Sequence, residues 1–259
     1  MTLETLLAAK VAIISVWFVG FFTAERLAAA APPPSSKARL LRNGGLWLIV
    51  LLASPFIVAP LTAWGVNHLI WQRPDAMTTG AIALAVLAVD LVLLDIWTYW
   101  LHRAYHRVPW MWRLHEVHHR DDFLDTTSAL RFHLGEVVLS AALRLIPIMI
   151  LALPLSTVII FETLLLCSAI FHHSNLRLPK TFEAGLSRIM VTPSIHWIHH
   201  HAIDRDTNSN YASLLSLWDR VFSSRSPAER RLDMKIGLQG VEDQSLLGLI
   251  LMPLMRDKK

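Results

Sequence analysis

Residues 80–101 read GAIALAVLAVDLVLLDIWTYWL and run without a break into HRAYHRVPWMWRLHEVHH, residues 102–119. The first part is an apolar stretch interrupted by two carboxylates, Asp90 and Asp95, and about 20 helical residues suffice to cross a hydrocarbon layer. The second part holds five histidines. A membrane-length helix that delivers its end into a histidine cluster decides the fold class: an all-α integral membrane bundle carrying a histidine-rich cap. Open sheets would leave backbone groups unpaired in lipid, and no alternation of the β-barrel kind is present.

Working outward, similar apolar runs occur at 11–22 (VAIISVWFVGFF), 45–66 (GLWLIVLLASPFIVAPLTAWGV) and 156–171 (STVIIFETLLLCSAIF). Four to five membrane helices are expected, at about residues 5–25, 45–69, 80–101, 136–153 and 155–172, the last two as a tight hairpin. Composition agrees: 54% of the 259 residues are hydrophobic and 17% charged, against about 25% charged in soluble chains, which excludes a soluble globule. Cys167 is the single cysteine, so a disulfide scaffold is excluded too. The net charge of +4 is spread in short clusters beside apolar runs, with no long basic stripe of the kind that tracks nucleic acid.

The first run has no basic leader or small-residue cleavage site and reads as a retained helix. Lys37, Arg39 and Arg42 follow it, and Arg103, Arg107, Arg113 and Arg120 follow the third run, whereas 71–80 carries only Arg73. Both basic connections should face the cytoplasm. The histidine-bearing stretches 102–135 and 173–244 then lie on that same side, as a cytoplasmic helical cap. The closing SLLGLILMPLM (245–255) is too short to span and is expected at the membrane surface. Three regions result: N-terminal membrane helices (1–79), a histidine-bearing region (80–225) and an interfacial tail (226–259).

Of thirteen histidines, all but His68 and His133 fall in four clusters. Positions i and i+4 on a helix differ by about 40°, and i and i+3 by about 60°, so HxxxH and HxxHH each present their imidazoles to one point. Random placement would give about 0.03 HxxHH triplets in such a chain, which has two, at 115–119 and 196–200. Clustered imidazoles repel when protonated and are worth assembling only around a shared ligand. Their number, without a cysteine set, suggests two metal ions, and imidazole suits iron, zinc, copper or nickel alike.

The segments WLHRAYHRVPWMWRLHEVHH (100–119), FHHSNLRLP (171–179) and TPSIHWIHH (192–200), followed by DTNSNYASLLSLWDRVF (206–222), resemble the membrane fatty acid hydroxylase and sterol desaturase superfamily over about residues 90–225. The resemblance implies a di-iron oxidoreductase that activates O2 to hydroxylate or desaturate an unactivated C–H bond of a lipid, such as a fatty acyl chain or a sterol-like molecule. Zinc could replace iron in purified protein. By the same resemblance His102, His106, His115, His118, His119, His173, His196, His199 and His200 are the metal ligands and catalytic residues. His172 should point about 100° away from His173, and His201 should be rotated off the face of a helix continuing through 196–201. RFHLGE (131–136) resembles a further family element with Leu134 in place of proline, and carries Arg131, His133 and Glu136. Asn175, Asp206, Asn210, Asp219 and Arg220 are candidates to hydrogen-bond ligand imidazoles or simply to cap loops. Asp95 should face the bundle or the site.

Electrons must come from an external donor, of ferredoxin or cytochrome type with a reductase, because the chain carries no haem, dinucleotide or iron–sulfur pattern. The expected setting is the bacterial cytoplasmic membrane. A metal transporter is the alternative from another class, but its ligands should lie near the bilayer midplane rather than at helix ends. A zinc hydrolase normally uses three protein ligands per ion and a carboxylate base, and nine imidazoles are too rich in nitrogen for it.

Overall fold

Proline and capping residues divide the apolar runs into helices in the computed structural model, which describes residues 2–34 and 36–255. Met1, Ser35 and residues 256–259 of the expected terminal regions lie outside the described residues. Helix α1 (Leu3–Leu27) starts where the Thr2 side chain accepts from the Thr5 amide. Helices α2 (Lys37–Ala53) and α3 (Val58–Asn67) form a pair bent by 44°. The break holds Pro55, whose missing N–H cannot continue the helical ladder. Helix α4 (Gly80–Arg107) is followed directly by α5 (Pro109–His119), with Pro109 at the first helical turn where its missing N–H costs nothing. Helices α6 (Leu134–Ile150) and α7 (Leu155–His173) form the hairpin. Short helices follow: α8 (Lys180–Leu186), α9 (Pro193–His199), α10 (Asp204–Thr207), α11 (Leu217–Val221) and α12 (Leu246–Leu251). Among the described residues there is no strand, only three isolated bridges.

Helices α1, α4 and α7 are long and apolar enough to cross a membrane, and the bent α2–α3 pair makes a fourth candidate. The expected segment at 136–153 is a helix of 17 residues that falls short of that length. Apolar side chains on the outer faces stand open, Val16 at 74% and Leu84 at 70% exposure. Such surfaces fit lipid rather than water. Between the helices, Leu94, Ile148, Leu153, Val158 and Phe161 pack as a core. Charges inside this layer are paired: Glu162 accepts from Lys10 and Arg144, and Arg73 grips Asp90 with two bonds of 2.7 Å. Asp95 faces the bundle, where it accepts from the amides of Leu214 and Leu215 and from the Trp218 indole.

The histidine-bearing segments gather at one end of the bundle and are tied to it by buried polar contacts. Glu25, at the end of α1, accepts from the amides of Thr126 and Asn175. Arg39 in α2 reaches Asp121, Asp125, Ser128 and the Phe123 carbonyl, all in the stretch after α5. The first basic connection and the cap therefore share one side of the molecule. The tail is anchored as well, since Asp243 pairs with Arg42 and Arg131. Leu249 of α12 packs on Leu46 and Val117. A Cβ on Gly45 would lie 2.6 Å from the tip of the Leu246 side chain, which shows how closely α12 approaches α2.

Candidate metal centre

The end of α4, helix α5, the end of α7 and the segment 196–200 bring nine imidazoles into two adjoining groups. His102, His106, His115, His119 and His199 form one; His118, His173, His196 and His200 form the other. Within each group one nitrogen per ring lies within 4.8 Å of every other. The groups touch where the ring of His119 stacks on that of His200 at 4.4 Å.

The HxxHH motifs do not each converge on one point, as the sequence reading expected. His115 and His119 share the first group while His118 joins the second; His196 and His200 share the second while His199 joins the first. Helix geometry explains the split. Members at i and i+4 are about 40° apart, but those at i+3 and i+4 diverge by about 100°, so each motif serves both groups. The expected continuous helix through 201 is also shorter in fact. Helix α9 ends at His199, with His200 as its cap.

Hydrogen bonds fix which nitrogen carries the proton. The Nδ1 atoms of His102, His118, His173 and His199 face the carbonyl oxygens of Tyr211, Arg131, Ala169 and Ser209 at 2.6–3.1 Å. A carbonyl can only accept, so these Nδ1 atoms donate and each Nε2 presents a lone pair. His118 Nε2 then faces His173 Nε2 at 3.1 Å, lone pair to lone pair, and His196 Nε2 approaches His173 Nε2 at 2.9 Å. Neutral imidazoles so oriented repel unless a cation lies among them. Both ring nitrogens of His106 and of His119, and Nε2 of His199, are buried without any partner. An all-nitrogen donor set with unspent lone pairs fits metal ions.

The Fatty acid hydroxylase family pattern matches residues 87–224, more than half of the chain and all nine histidines. The chain belongs to this family. It is 26% identical over 221 residues to an ornithine lipid hydroxylase of Rhizobium tropici, covering 84% of this chain and 64% of that protein. It is 29% identical over 150 residues to an alkylglycerol monooxygenase of Danio rerio (56% of this chain, 30% of that protein). A fatty acid hydroxylase of a Lecanicillium species is 29% identical over 154 residues (53% and 41%). The chain thus spans between about a third and two thirds of the length of these relatives. No solved structure matches it.

Other residues singled out from sequence divide sharply. Glu136 accepts from His115 Nδ1 at 2.7 Å, and its second oxygen is buried without a partner. Arg131 is wholly buried and places the carbonyl that meets His118. His133 caps α6 by accepting from the Gly135 amide. His172 is buried with its ring 4.1 Å from that of His196, closer to the second group than a 100° rotation suggested. His201 Nδ1 instead donates to the Asp206 carboxylate at 2.8 Å, outside both groups. Among the described residues, the side chains of Asn175, Asp206, Asn210, Asp219 and Arg220 make no hydrogen bond to the nine imidazoles. Asn175 bonds Ala31, Asn210 bonds Ile195 and Ser226, Asp219 receives the amides of Tyr211 and Ala212, and Arg220 bonds Arg188. They act one step back, as loop braces, because backbone carbonyls occupy the positions beside the rings. Those carbonyls leave no trace in sequence, since any residue supplies one.

A cavity of about 430 Å³ reaches His106, with Trp112, Glu116, Asn208 and Val241 in its wall. Burial, and next the facing imidazoles, hold His118, His119, His196 and His200 well below 6.5. Burial pushes His199 down to about 3, against the opposing pull of the Ser209 carbonyl. The folded cap therefore keeps these rings neutral, while an unfolded chain takes up protons below about pH 6.5. Metal-free protein should be equally stable above that pH and lose stability as pH falls below it, by roughly 1 kcal/mol per imidazole one unit down. Thermal melting of chelator-treated protein between about pH 7.5 and 5.5 checks the sign, and a flat profile would contradict it.

Proposed function

We propose that the chain is a di-iron oxygenase that uses O2 and external electrons to hydroxylate, or desaturate, an unactivated C–H bond of a membrane lipid. The observation that carries this reading is the pair of all-imidazole groups with facing, unspent lone pairs at the end of a membrane bundle. His102, His106, His115, His119 and His199 would hold one ion and His118, His173, His196 and His200 the other. Bound iron would supply the redox chemistry with O2 that no side chain can perform. Lipid as the substrate class draws support from the relatives, whose names specify an ornithine lipid, an alkylglycerol and a fatty acid.

The chain's own residues set the conditions for that chemistry. The Tyr211, Arg131, Ala169 and Ser209 carbonyls and Glu136 hold the imidazoles in one tautomer and one orientation, which preserves the donor geometry through turnover. Trp112, its ring 5.0 Å from that of His106, covers the first group and limits water. The cavity at His106 gives a substrate carbon an approach. Residues 80–225 form the catalytic region, flanked by N-terminal helices (1–79) and a tail (226–259). An external ferredoxin- or cytochrome-type donor and its reductase would deliver electrons.

We place the centre on the cytoplasmic side of a bacterial membrane. Support comes from the basic first connection, which Arg39 ties to the cap. With Cys167 replaced by serine, a cysteine at Asp75 should react with a membrane-impermeant thiol reagent in intact cells, and one at exposed Asp233 should not. The reverse pattern would invert the topology. The activity is tested with full-length iron-loaded protein in lipid nanodiscs under chemical reduction. Oxygen uptake should accompany a product lipid that has gained one oxygen atom or lost two hydrogens. Absence of both, with two irons bound, would overturn the reading.

A further inference from the structure

Beside the cavity at His106, and sharing Asn208 with it, lies a second cavity of about 170 Å³. Four arginines line it: Arg103 and Arg107 from the end of α4, Arg205 from α10 and Arg225 from the segment after α11. Elsewhere in the cap Arg39, Arg42, Arg120 and Arg131 each hold a carboxylate. Here, among the described residues, Arg103, Arg107 and Arg225 have no carboxylate at ion-pair distance. Arg205 meets Asp206 at 3.4 Å with its side chain 72% exposed. Tyr211 lines the same cavity, wholly buried, and its hydroxyl has no hydrogen-bond partner. Guanidinium groups brought together without counter-charge, beside an unspent hydroxyl, make a receptor for an oxyanion.

Position selects the source of that anion. Arg103 and Arg107 close a helix long enough to cross the bilayer, so the cavity sits where the chain leaves the apolar layer, at the level of lipid headgroups. Tyr211 connects it to the metal groups, since its ring lies 5.2 Å from that of His106 and its carbonyl accepts from His102. We propose that this four-arginine cavity binds the phosphate or carboxylate headgroup of the lipid on which the centre acts, and so holds the substrate one aromatic ring away from the candidate ligands. The word substrate rests on the oxygenase reading; the binding does not.

Isothermal titration calorimetry of full-length, detergent-purified protein tests it, using as separate titrants short-chain phosphatidic acid, the corresponding diacylglycerol, inorganic phosphate and an acidic ferredoxin. Phosphatidic acid should bind the wild type about tenfold or more tightly than it binds Arg107→Gln/Arg225→Gln, with the double lysine variant in between, because lysine keeps charge but loses the bidentate fork. Diacylglycerol should not distinguish the variants. Should the double variant not fold, Arg225→Gln alone, on an exposed residue, carries the comparison. Equal binding of phosphatidic acid to all variants would overturn the proposal. So would inorganic phosphate binding as tightly as the lipid, which marks a free-anion site, or a variant that loses only an acidic ferredoxin, which marks a redox docking surface. Calorimetry needs no turnover, so failure of lipid oxidation leaves this result standing, and failure of binding leaves the oxygenase reading intact.

Discussion

His118→Ala and His199→Ala should each abolish turnover and remove about one of two bound metal ions, because each deletes a donor from a different imidazole group. Loss of a hydrogen-bond partner to a ligand typically costs about 10- to 100-fold, and loss of the ligand itself should exceed that. His201→Ala provides the contrast. It breaks the 2.8 Å bond to Asp206, at a cost of about 1–3 kcal/mol in stability, but leaves both groups whole. Metal content by elemental analysis and turnover on lipid should therefore stay near wild type. If His201→Ala lost metal as fully as His199→Ala while remaining helical, the division of the histidines between site and brace would be wrong. Glu136→Gln should fall between these extremes. It keeps a hydrogen-bond acceptor for His115 but removes the negative charge beside it, and should lower metal affinity by roughly 10-fold.

Removal of Asp121 should be the most destabilising single change in the cap. Its carboxylate is wholly buried and receives Arg39, Asn43 and Ser128 at 2.5–3.1 Å. Asp121→Ala removes one of the two carboxylates that hold the buried Arg39 guanidinium and leaves only Asp125, so the loss should approach the value of about 3–5 kcal/mol for a broken buried pair. Chemical denaturation in detergent measures the loss, and a change below about 1 kcal/mol would show that solvent reaches the pair. Burial by itself would raise the Asp121 carboxyl, but Arg39 and Arg131 outweigh it and hold it below 3.8. Its contribution is thus complete above about pH 4 and is lost only as pH falls through the depressed folded value, so this effect is separable from the histidine effect that begins near pH 6.5. The pair also binds α2 to the stretch that presents the Arg131 carbonyl to His118, so Asp121→Ala should loosen metal binding as well as the fold.

Helix type, most of the membrane-length runs and the histidine clusters were legible in residue order, because apolar length and imidazole spacing are local properties of a chain, while the full set of nine, His173 included, came from the family resemblance. Helical spacing alone even contained the rule that sends His118 away from His115 and His119, although the motif as a whole suggested a single point of convergence. What local order does not contain is the partner of each ring. Tyr211, Ser209, Ala169 and Arg131 orient imidazoles through backbone carbonyls, a group that every residue carries, so only the tertiary path of the chain reveals them. The same holds for Glu25, Arg39 and Asn43, which precede the matched family region yet reach residues 121–131 and 175 across most of the bundle. The four arginines around Tyr211 are spread from 103 to 225 and look like ordinary flanking charges one at a time. Their meeting in one cavity is decided by how α4, α10 and the segment after α11 pack, since the convergence of distant side chains is a property of packing and not of spacing.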